Sequence, residues 1–355
     1  MIHSRKSKAI GLFSGSLDSI LAAKLLAEQG VAIVALNFKL PFPVPGRVPS
    51  DEYLQTMADL IGASLLSIQA DESYLELIRN PEFGYIREMA PCIDCMGWML
   101  RKARELMKEI KADFVFTGEV LGQQPFSQNK RSLKLLERIS GLGSRLVRPL
   151  SAKILEPTLP ELSGLIRRER LLDFHGGSRH QQMRLARELG IVDYPIPGAG
   201  CLLTDSNFAA RCRDAVTHQE LTWGEIEWLK YGRHFRLKSG ARVIIGRNEK
   251  ENKVLEDLAR NNGLLFKPVE IQGPVAVLKT KKVTKKDMEL AARMCARYCD
   301  NPKGKAVKIL SGEKVFSCKA IKDEDLAEWR IVGGKDKGGR ADKYKKNKNN
   351  GKEQK

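Results

Sequence analysis

The 355-residue sequence lacks any apolar run near the roughly 18 residues that cross a membrane. The apolar patch at 9–13 follows a basic N-terminus, but it is shorter than the core of a secretion signal. Seven cysteines in a long chain without such a signal argue against a disulfide scaffold. There is also no internal repeat. We therefore expect a cytoplasmic, globular protein with no membrane partner.

Acidic residues are fewer than basic ones: the sequence has 43 Asp and Glu and 61 Lys and Arg, which gives a net charge of +18. Such an excess favours a polyanionic partner through counterion release, and nucleic acid is the obvious candidate. The alternative is a solvated basic surface, because a Lys-rich stretch supplies part of the charge. That stretch, 333–355, has hardly an apolar residue, so we predict a disordered basic tail.

Short apolar runs alternate with amphipathic segments in the first part of the chain, which predicts strands at 9–13, 32–38, 64–68, 114–117 and 146–149. This alternation implies parallel βαβ units and a doubly wound α/β sheet, with ligands at the carboxyl ends of the strands. Further helices are predicted at 162–173, 178–189 and 206–219, with a Gly/Pro-rich break at 194–200. A hairpin pattern after 231 predicts a smaller, mixed α/β domain. We place the domains at 1–218, 219–332 and 333–355.

A loop of small polar residues joins the first strand to a helix, and its sequence is Ser14-Gly15-Ser16-Leu17-Asp18-Ser19. This layout presents backbone N–H groups and a helix N-terminus to an anion. Gly15 allows close backbone approach, the three serines offer hydroxyl donors, and Asp18 could cap the helix or bind Mg²⁺. The alternative is an ordinary strand-to-helix turn.

The loop resembles the S-G-G-x-D-S signature of PP-loop ATP pyrophosphatases, whose nucleotide-binding domain is of the HUP-like class. Ser16 stands where the signature has its second glycine. The resemblance implies that ATP and Mg²⁺ bind here. It also implies that the loop after the second strand holds the adenine, which involves Leu36, Asn37 and Phe38.

Three cysteines lie at predicted loops: Cys92 and Cys95 form a C-x-x-C pair beside a helix, and Cys201 follows the Gly/Pro-rich break. Thiols at a helix N-terminus can bind a metal ion or exchange sulfur. Three thiolates suit an iron–sulfur cluster with one iron left open. The alternative is half-buried core cysteines, as we expect for the remaining four, which are Cys212, Cys295, Cys299 and Cys318.

A further run, Thr117-Gly118-Glu119-Val120-Leu121-Gly122-Gln123 with Ser127-Gln128 and Arg148-Pro149-Leu150, resembles tRNA 4-thiouridine synthases. The resemblance implies that Gly118 and Glu119 lie at the nucleotide and activated-base site, with Gln123 and Gln128 on the substrate side. The cysteine layout resembles the tRNA thiolases that carry a [4Fe–4S] cluster on three cysteines, here Cys92, Cys95 and Cys201. The sequence contains neither the THUMP nor the rhodanese domain of the usual synthases. We therefore expect another RNA reader and an external sulfur donor, either sulfide or a persulfide carrier.

The segments 234–237, 246–248 and 251–252 are similar to the NFACT-R domain, a module linked with RNA binding. The resemblance suggests phosphate contacts by Arg236, Arg247 and Asn248, with Phe235 available for base stacking. The alternative is a plain hairpin with a Gly-Arg-Asn turn.

Our hypothesis is ATP-dependent thiolation of a uridine in tRNA or another RNA. ATP adenylates a carbonyl oxygen, pyrophosphate leaves, and sulfur then displaces AMP. Asp18, Cys95 and Cys201 are the candidate catalytic residues, with sulfur delivered either by a cluster or as a persulfide on Cys201 or Cys95. The alternatives are a PP-loop synthetase or amidotransferase with an amine nucleophile, and a non-catalytic RNA-binding protein.

Overall fold

The computed structural model describes residues 6–195, 200–300 and 304–334. The chain forms two compact units. The first runs to Asp205 and includes Ala215–Ile226, and the second comprises Ser206–Asp214 and the chain from Glu227 onward. A functional boundary at 218 stays a prediction. Most of the expected tail and most of the Gly/Pro-rich break lie outside the described residues.

The first unit is built on a five-stranded parallel sheet in the order β3-β2-β1-β4-β5. The strands are β1 Lys8–Leu12, β2 Ala32–Lys39, β3 Ser64–Gln69, β4 Phe114–Phe116 and β5 Leu146–Val147. Because β1 has β2 on one side and β4 on the other, the strand order reverses at β1. In a doubly wound sheet this reversal opens a crevice at the carboxyl ends of the strands, which is where ligands bind.

Helices cover both faces of this sheet, as the α/β prediction requires. Successive residues of β1 point to opposite faces: Ala9 joins the core beneath α1 and α2, whereas Ile10 joins the core beneath α4 and α5. The helices of this unit are α1 Leu17–Ala27, α2 Asp51–Ile61, α3 Glu72–Arg79, α4 Cys92–Glu109, α5 Lys130–Ser140, α6 Leu159–Leu162 and α7 His180–Glu188. The doubly wound fold is thereby confirmed.

The helix predicted at 162–173 is wrong. The chain forms only the short α6 there, because Gly164 adopts a left-handed conformation with φ of +74° and ends it. A 3₁₀ turn at Arg168–Arg170 follows. The start of α4 also differs from prediction: the helix begins at Cys92, so both cysteines of the C-x-x-C pair lie inside its first turn.

The second unit contains a seven-stranded antiparallel sheet in the order β11-β10-β8-β9-β7-β6-β12. The strands are β6 Arg233–Arg236, β7 Arg242–Ile245, β8 Leu264–Pro268, β9 Ala276–Lys279, β10 Val307–Ser311, β11 Lys314–Cys318 and β12 Arg330–Ile331. The remaining helices are α8 Ser206–Thr217, α9 Trp223–Lys230, α10 Glu249–Asn262, α11 Lys285–Arg297 and α12 Asp323–Trp329. The division between the units passes through α8 and α9.

Four cysteines pack as the sequence predicts. Cys212 is fully buried, Cys295 and Cys299 belong to the core of the second unit, and half-buried Cys318 packs against that core. In the part of the chain that the structure describes, no helix has both the length and the apolarity to span a bilayer.

The predicted RNA contacts at the β6–β7 hairpin need correction. Phe235 has no exposed surface, so it cannot stack on a base. Asn248 caps α10 by accepting from the Glu251 N–H. Arg236 is paired with Asp214 and Arg247 with Glu251, so both guanidinium groups already have carboxylate partners.

Candidate active site

The serine-rich loop occupies the reversal point of the parallel sheet. Gly15 adopts a left-handed conformation with φ of +73°, and the loop turns there from β1 into α1. The Ser14 and Ser16 hydroxyl oxygens lie 2.8 Å apart, and the Ser19 hydroxyl donates to the Ser16 carbonyl at 2.8 Å. The exposed Ser14 and half-buried Ser16 thus remain at the surface, where an anion can reach them.

Asp18 does not cap α1, because Ser16 is the N-cap and the Asp18 carboxylate points elsewhere. Gln123 Nε2 donates to Asp18 Oδ2 at 2.8 Å, and Arg179 Nη2 lies 3.5 Å from the same oxygen. The other oxygen, Asp18 Oδ1, is buried and has no hydrogen-bond partner among the described residues. A carboxylate oxygen in that state at an anion-binding loop fits the chemistry of a Mg²⁺ ligand.

Gly118 brings the end of β4 against the loop. A Cβ at this position would lie 2.6 Å from the Asp18 carbonyl carbon and 2.7 Å from the Ser19 nitrogen. Such contacts are shorter than any real side chain shows, so only glycine allows this approach. The motif residue therefore holds the backbone of β4 in direct contact with the serine-rich loop.

Glu119 is buried in an ion pair rather than capping a helix. Its Oε2 accepts from the Thr117 hydroxyl at 3.0 Å and from Arg148 Nε at 3.1 Å. Arg148 also pairs with Glu137 at 2.7 Å and donates to the Leu133 carbonyl at 3.2 Å. The Arg-Pro-Leu motif thus supplies the buried cation that neutralises the carboxylate of the Thr-Gly-Glu motif.

A single cavity of about 670 Å³ in the first unit connects several motifs of the sequence analysis. It is lined by Ser14 of the loop, Asn37 and Phe38 after β2, Glu119 and Gln128. The Asn37 amide donates to the Phe13 carbonyl at 2.8 Å, and Phe38 packs edge-on against Trp98, which fixes both side chains at the wall. A nucleotide at the loop would therefore extend into this cavity.

The three candidate cysteines line the same cavity, although 106 positions separate Cys95 from Cys201. Asp94 anchors the start of α4 by accepting from the Glu82 and Phe83 N–H groups at 2.9 and 3.2 Å. Cys201 is bridged in antiparallel fashion to Pro43, and the Leu202 N–H donates to the Phe42 carbonyl at 2.8 Å. The segment around 201 is thus tied to the loop that follows β2.

Burial controls the protonation of these thiols. It raises the pKa of Cys92, raises that of Cys95 to about 12, and raises that of Cys201 to about 11. Tyr74, whose own pKa is raised well above its usual value by burial, has its hydroxyl 3.2 Å from the Cys95 sulfur. Without a cation the three groups are neutral thiols at neutral pH, and a bound metal ion would reverse this by stabilising thiolates.

No three His, Cys, Asp or Glu side chains within residues 6–195, 200–300 and 304–334 already form a group that could hold a metal ion. The three thiols line one cavity, and soft sulfur donors are the ligands that iron–sulfur clusters use, so their donor chemistry fits such a cluster.

Some functional side chains were missed by sequence reasoning. Tyr74 lies in α3, a helix that was not predicted, and Arg179 and Gln182 lie at the start of α7. Gln182 is 1% exposed and donates to Gln123 at 2.9 Å. The helix itself was predicted at 178–189, but its sequence pattern does not show that the polar Gln182 lies on the buried face with Ala186.

Two family models match this chain, one within the first unit and one within the second. Residues 4–153 match the model of the ThiI family, described as a thiamine biosynthesis protein, and residues 232–330 match the NFACT protein RNA binding domain. The first segment is ThiI-like. The second is NFACT-R-like, so the resemblances to the 4-thiouridine synthases and to the NFACT-R domain are confirmed. The ThiI match supports an ATP-using role of the adenylating, pyrophosphatase type.

Solved structures show more distant similarities. A 4-thiouridine synthetase in complex with RNA and ATP is 20% identical with a TM-score of 0.34, over 52% of this chain and 52% of that one. A predicted tRNA methyltransferase subunit from Methanocaldococcus jannaschii is 16% identical (TM-score 0.33), over 51% and 76%. The C-terminal part of a fibronectin/fibrinogen-binding protein from Streptococcus suis is 13% identical (TM-score 0.26), over 73% and 94%.

The chain thus spans about half the length of that synthetase, and at these scores the similarities bear on no functional detail. No curated protein matches the sequence.

We predict that Arg148→Met lowers the free energy of unfolding by about 3–5 kcal/mol, because it leaves the Glu119 carboxylate buried without its cation. Urea unfolding of the purified chain measures this. Lys134→Met is the matched control, since it removes the same kind of group from an exposed pair with Glu156 and should unfold nearly as wild type. Equal losses in the two variants would contradict a role for burial.

Proposed function

We propose that this chain is an ATP-dependent RNA thiolase that adenylates a uridine carbonyl oxygen and replaces it with sulfur. One observation supports this most: a single cavity in one unit connects the serine-rich loop, the residues after β2, Glu119 and three cysteine thiols. Activation and sulfur transfer must occur at the same carbon, so a cavity shared by both sets of groups is what the reaction requires.

The first step uses the loop. A carbonyl oxygen attacks the α-phosphorus of ATP, and pyrophosphate leaves with the bond electrons. Ser14, Ser16 and the N-terminus of α1 would bind the departing pyrophosphate, while Asp18 would hold Mg²⁺ through its unpartnered oxygen. Bound Mg²⁺ supplies positive charge to the phosphates. Asn37 and Phe38 would border the adenine.

The second step needs sulfur at the activated carbon. A sulfur nucleophile adds there, and AMP leaves with the original oxygen. Cys92, Cys95 and Cys201 would bind a [4Fe–4S] cluster, which when bound supplies an iron with a position open to sulfide. Tyr74 would orient Cys95 through its hydroxyl. The sulfur donor is external to the chain: sulfide adds directly, whereas sulfur from a persulfide carrier also requires a thiol that takes the inner sulfur and forms a disulfide.

An RNA substrate accounts for the basic charge. The NFACT-R-like segment carries four exposed lysines, two in the turn after β9 and two at the start of α11, which are Lys281, Lys282, Lys285 and Lys286. We propose that this lysine cluster, rather than the β6–β7 hairpin, contacts the phosphates. Phosphate contacts of this kind fix position and affinity without reading sequence.

Two alternative functions share some of the features of this proposal. A PP-loop synthetase or amidotransferase would share the adenylation step but attack with an amine, so it would not need the thiols. A non-catalytic RNA-binding protein would need neither ATP nor thiols. The three functions therefore differ in whether they require ATP and the cysteine thiols.

We predict that Asp18→Ala and Ser14→Ala abolish RNA-dependent ATP/pyrophosphate exchange and leave RNA affinity nearly unchanged, because both residues face the phosphates and not the lysine cluster. Asp59→Ala, which removes an exposed carboxylate from α2, is the control and should exchange as wild type. Full exchange by Asp18→Ala or Ser14→Ala would remove the loop from the mechanism. No exchange by the wild-type chain would favour the RNA-binding protein.

We predict that anaerobically purified protein is brown, and that Cys92→Ser, Cys95→Ser or Cys201→Ser each loses both the visible absorbance and the thiolation of RNA. Cys318→Ser, a half-buried thiol of the second unit, should lose neither. Iron-free protein that thiolates RNA from a persulfide donor would replace the cluster by a cysteine relay. Cysteine variants that retain full activity would favour the amine-using enzyme.

We predict that changing the four residues of the lysine cluster to Gln weakens RNA binding. The slope of log affinity against log salt should become shallower by up to about 3, since each phosphate contact contributes somewhat less than one to it. Fluorescence anisotropy across a salt series measures both effects.

The matched control changes four lysines of the same unit whose carboxylate partners are closer than the 4.0 Å that separates Lys285 from Glu289: Lys238, Lys253, Lys267 and Lys308. This control should bind RNA with nearly the wild-type salt slope. An equal loss in both sets would mean that general charge, and not the cluster, determines binding.

A further inference from the structure

A buried glutamine lies behind the serine-rich loop, outside the sequence motifs. Gln182, in α7, is 1% exposed and donates through its Nε2 to Gln123 Oε1 at 2.9 Å. Gln123 in turn donates through its Nε2 to Asp18 Oδ2 at 2.8 Å. The three side chains form one row of hydrogen bonds that ends at the carboxylate of the loop.

The direction of this row follows from chemistry. An ionised carboxylate only accepts hydrogen bonds, so Gln123 must turn its amide nitrogen to Asp18 and its amide oxygen to Gln182. That oxygen also only accepts, so Gln182 must present its own nitrogen. A donor at position 182 therefore stabilises the orientation in which the nitrogen of Gln123 faces Asp18.

The arrangement costs stability, which argues against a packing role alone. Because Gln182 presents its nitrogen to Gln123, its Oε1 is left buried without a hydrogen-bond partner among the described residues. An apolar side chain of similar volume would fill the same space without an unsatisfied oxygen. The amide thus supplies a donor to Gln123 that an apolar side chain would lack.

This row of hydrogen bonds also gives the two carboxylate oxygens of Asp18 different surroundings. Gln123 and the more distant Arg179 both lie on Oδ2, at 2.8 and 3.5 Å. Oδ1 has neither contact. With one oxygen held in place, the other keeps a fixed position from which it can coordinate a divalent cation.

We propose that Gln182 is a positioning residue, which orients the Asp18 carboxylate for a divalent cation through Gln123. This inference rests on the proposed ATP-binding function, and it adds α7 to the site. The residue touches neither the nucleotide nor the cation, so its effect must pass through Gln123.

The test measures ATP affinity by calorimetry with Mg²⁺ and, separately, with EDTA. Gln182→Leu removes the donor, and Gln182→Glu presents an acceptor that would turn the oxygen of Gln123 toward Asp18. Both variants should weaken MgATP binding by tenfold or more and change the affinity in EDTA less than twofold. Mn²⁺ titration, followed by its electron paramagnetic resonance signal, should show the same loss of cation affinity without any turnover.

Two further variants distinguish a positioning role of Gln182 from a general disruption of the structure. Gln181→Glu places the same charge on the neighbouring residue of α7 and should bind MgATP as wild type. The double variant Gln123→Leu/Gln182→Leu should bind MgATP no more weakly than Gln123→Leu alone, because the residues act as one row. Additive losses, or equal losses with and without Mg²⁺, would overturn the positioning role. A wild-type chain whose ATP affinity ignores Mg²⁺ would instead overturn the proposed function.

Discussion

The site depends on the close approach of two backbones, one at the end of β4 and one at the serine-rich loop. A Cβ at Gly118 would lie 2.6 Å from the Asp18 carbonyl carbon, so the approach exists only with glycine. Because Gly118 lies against the loop, Glu119 follows at the wall of the cavity and needs Arg148 to neutralise it. The positions of these motif residues are therefore consequences of one steric condition at the reversal point of the sheet.

A second constraint is electrostatic. Three thiols share the cavity with a buried tyrosine, and burial is the main cause that raises the pKa values of Cys95 and Cys201 to about 12 and 11. Such an environment opposes thiolates unless positive charge enters with them. At Asp18, Oδ1 is buried and has no hydrogen-bond partner among the described residues. The thiols and the Asp18 carboxylate are thus the two groups of the site to which the proposed function assigns a metal.

Patterns in the sequence predicted those features that depend on interactions between residues close together in the chain. The strands, the turn at Gly15 and the motif order follow from residues close in sequence, and they are confirmed by the sheet order and the ThiI match. Contacts between distant residues were not predictable in this way, as for Tyr74 with Cys95 or Gln182 with Gln123. The stacking role of Phe235 failed for the same reason, because alternation within a hairpin does not show which face the sheet buries.

The serine-rich loop differs from the PP-loop signature at one position, and its backbone conformation explains why this difference is tolerated. Ser16 stands where the PP-loop pattern has its second glycine, and its backbone has φ of −73° and ψ of 155°, an extended conformation open to any residue. Only Gly15, with φ of +73°, requires glycine for its backbone. The Ser16 hydroxyl lies 2.8 Å from that of Ser14. The serine therefore keeps the turn and adds a hydroxyl group at a position where the pattern has no side chain.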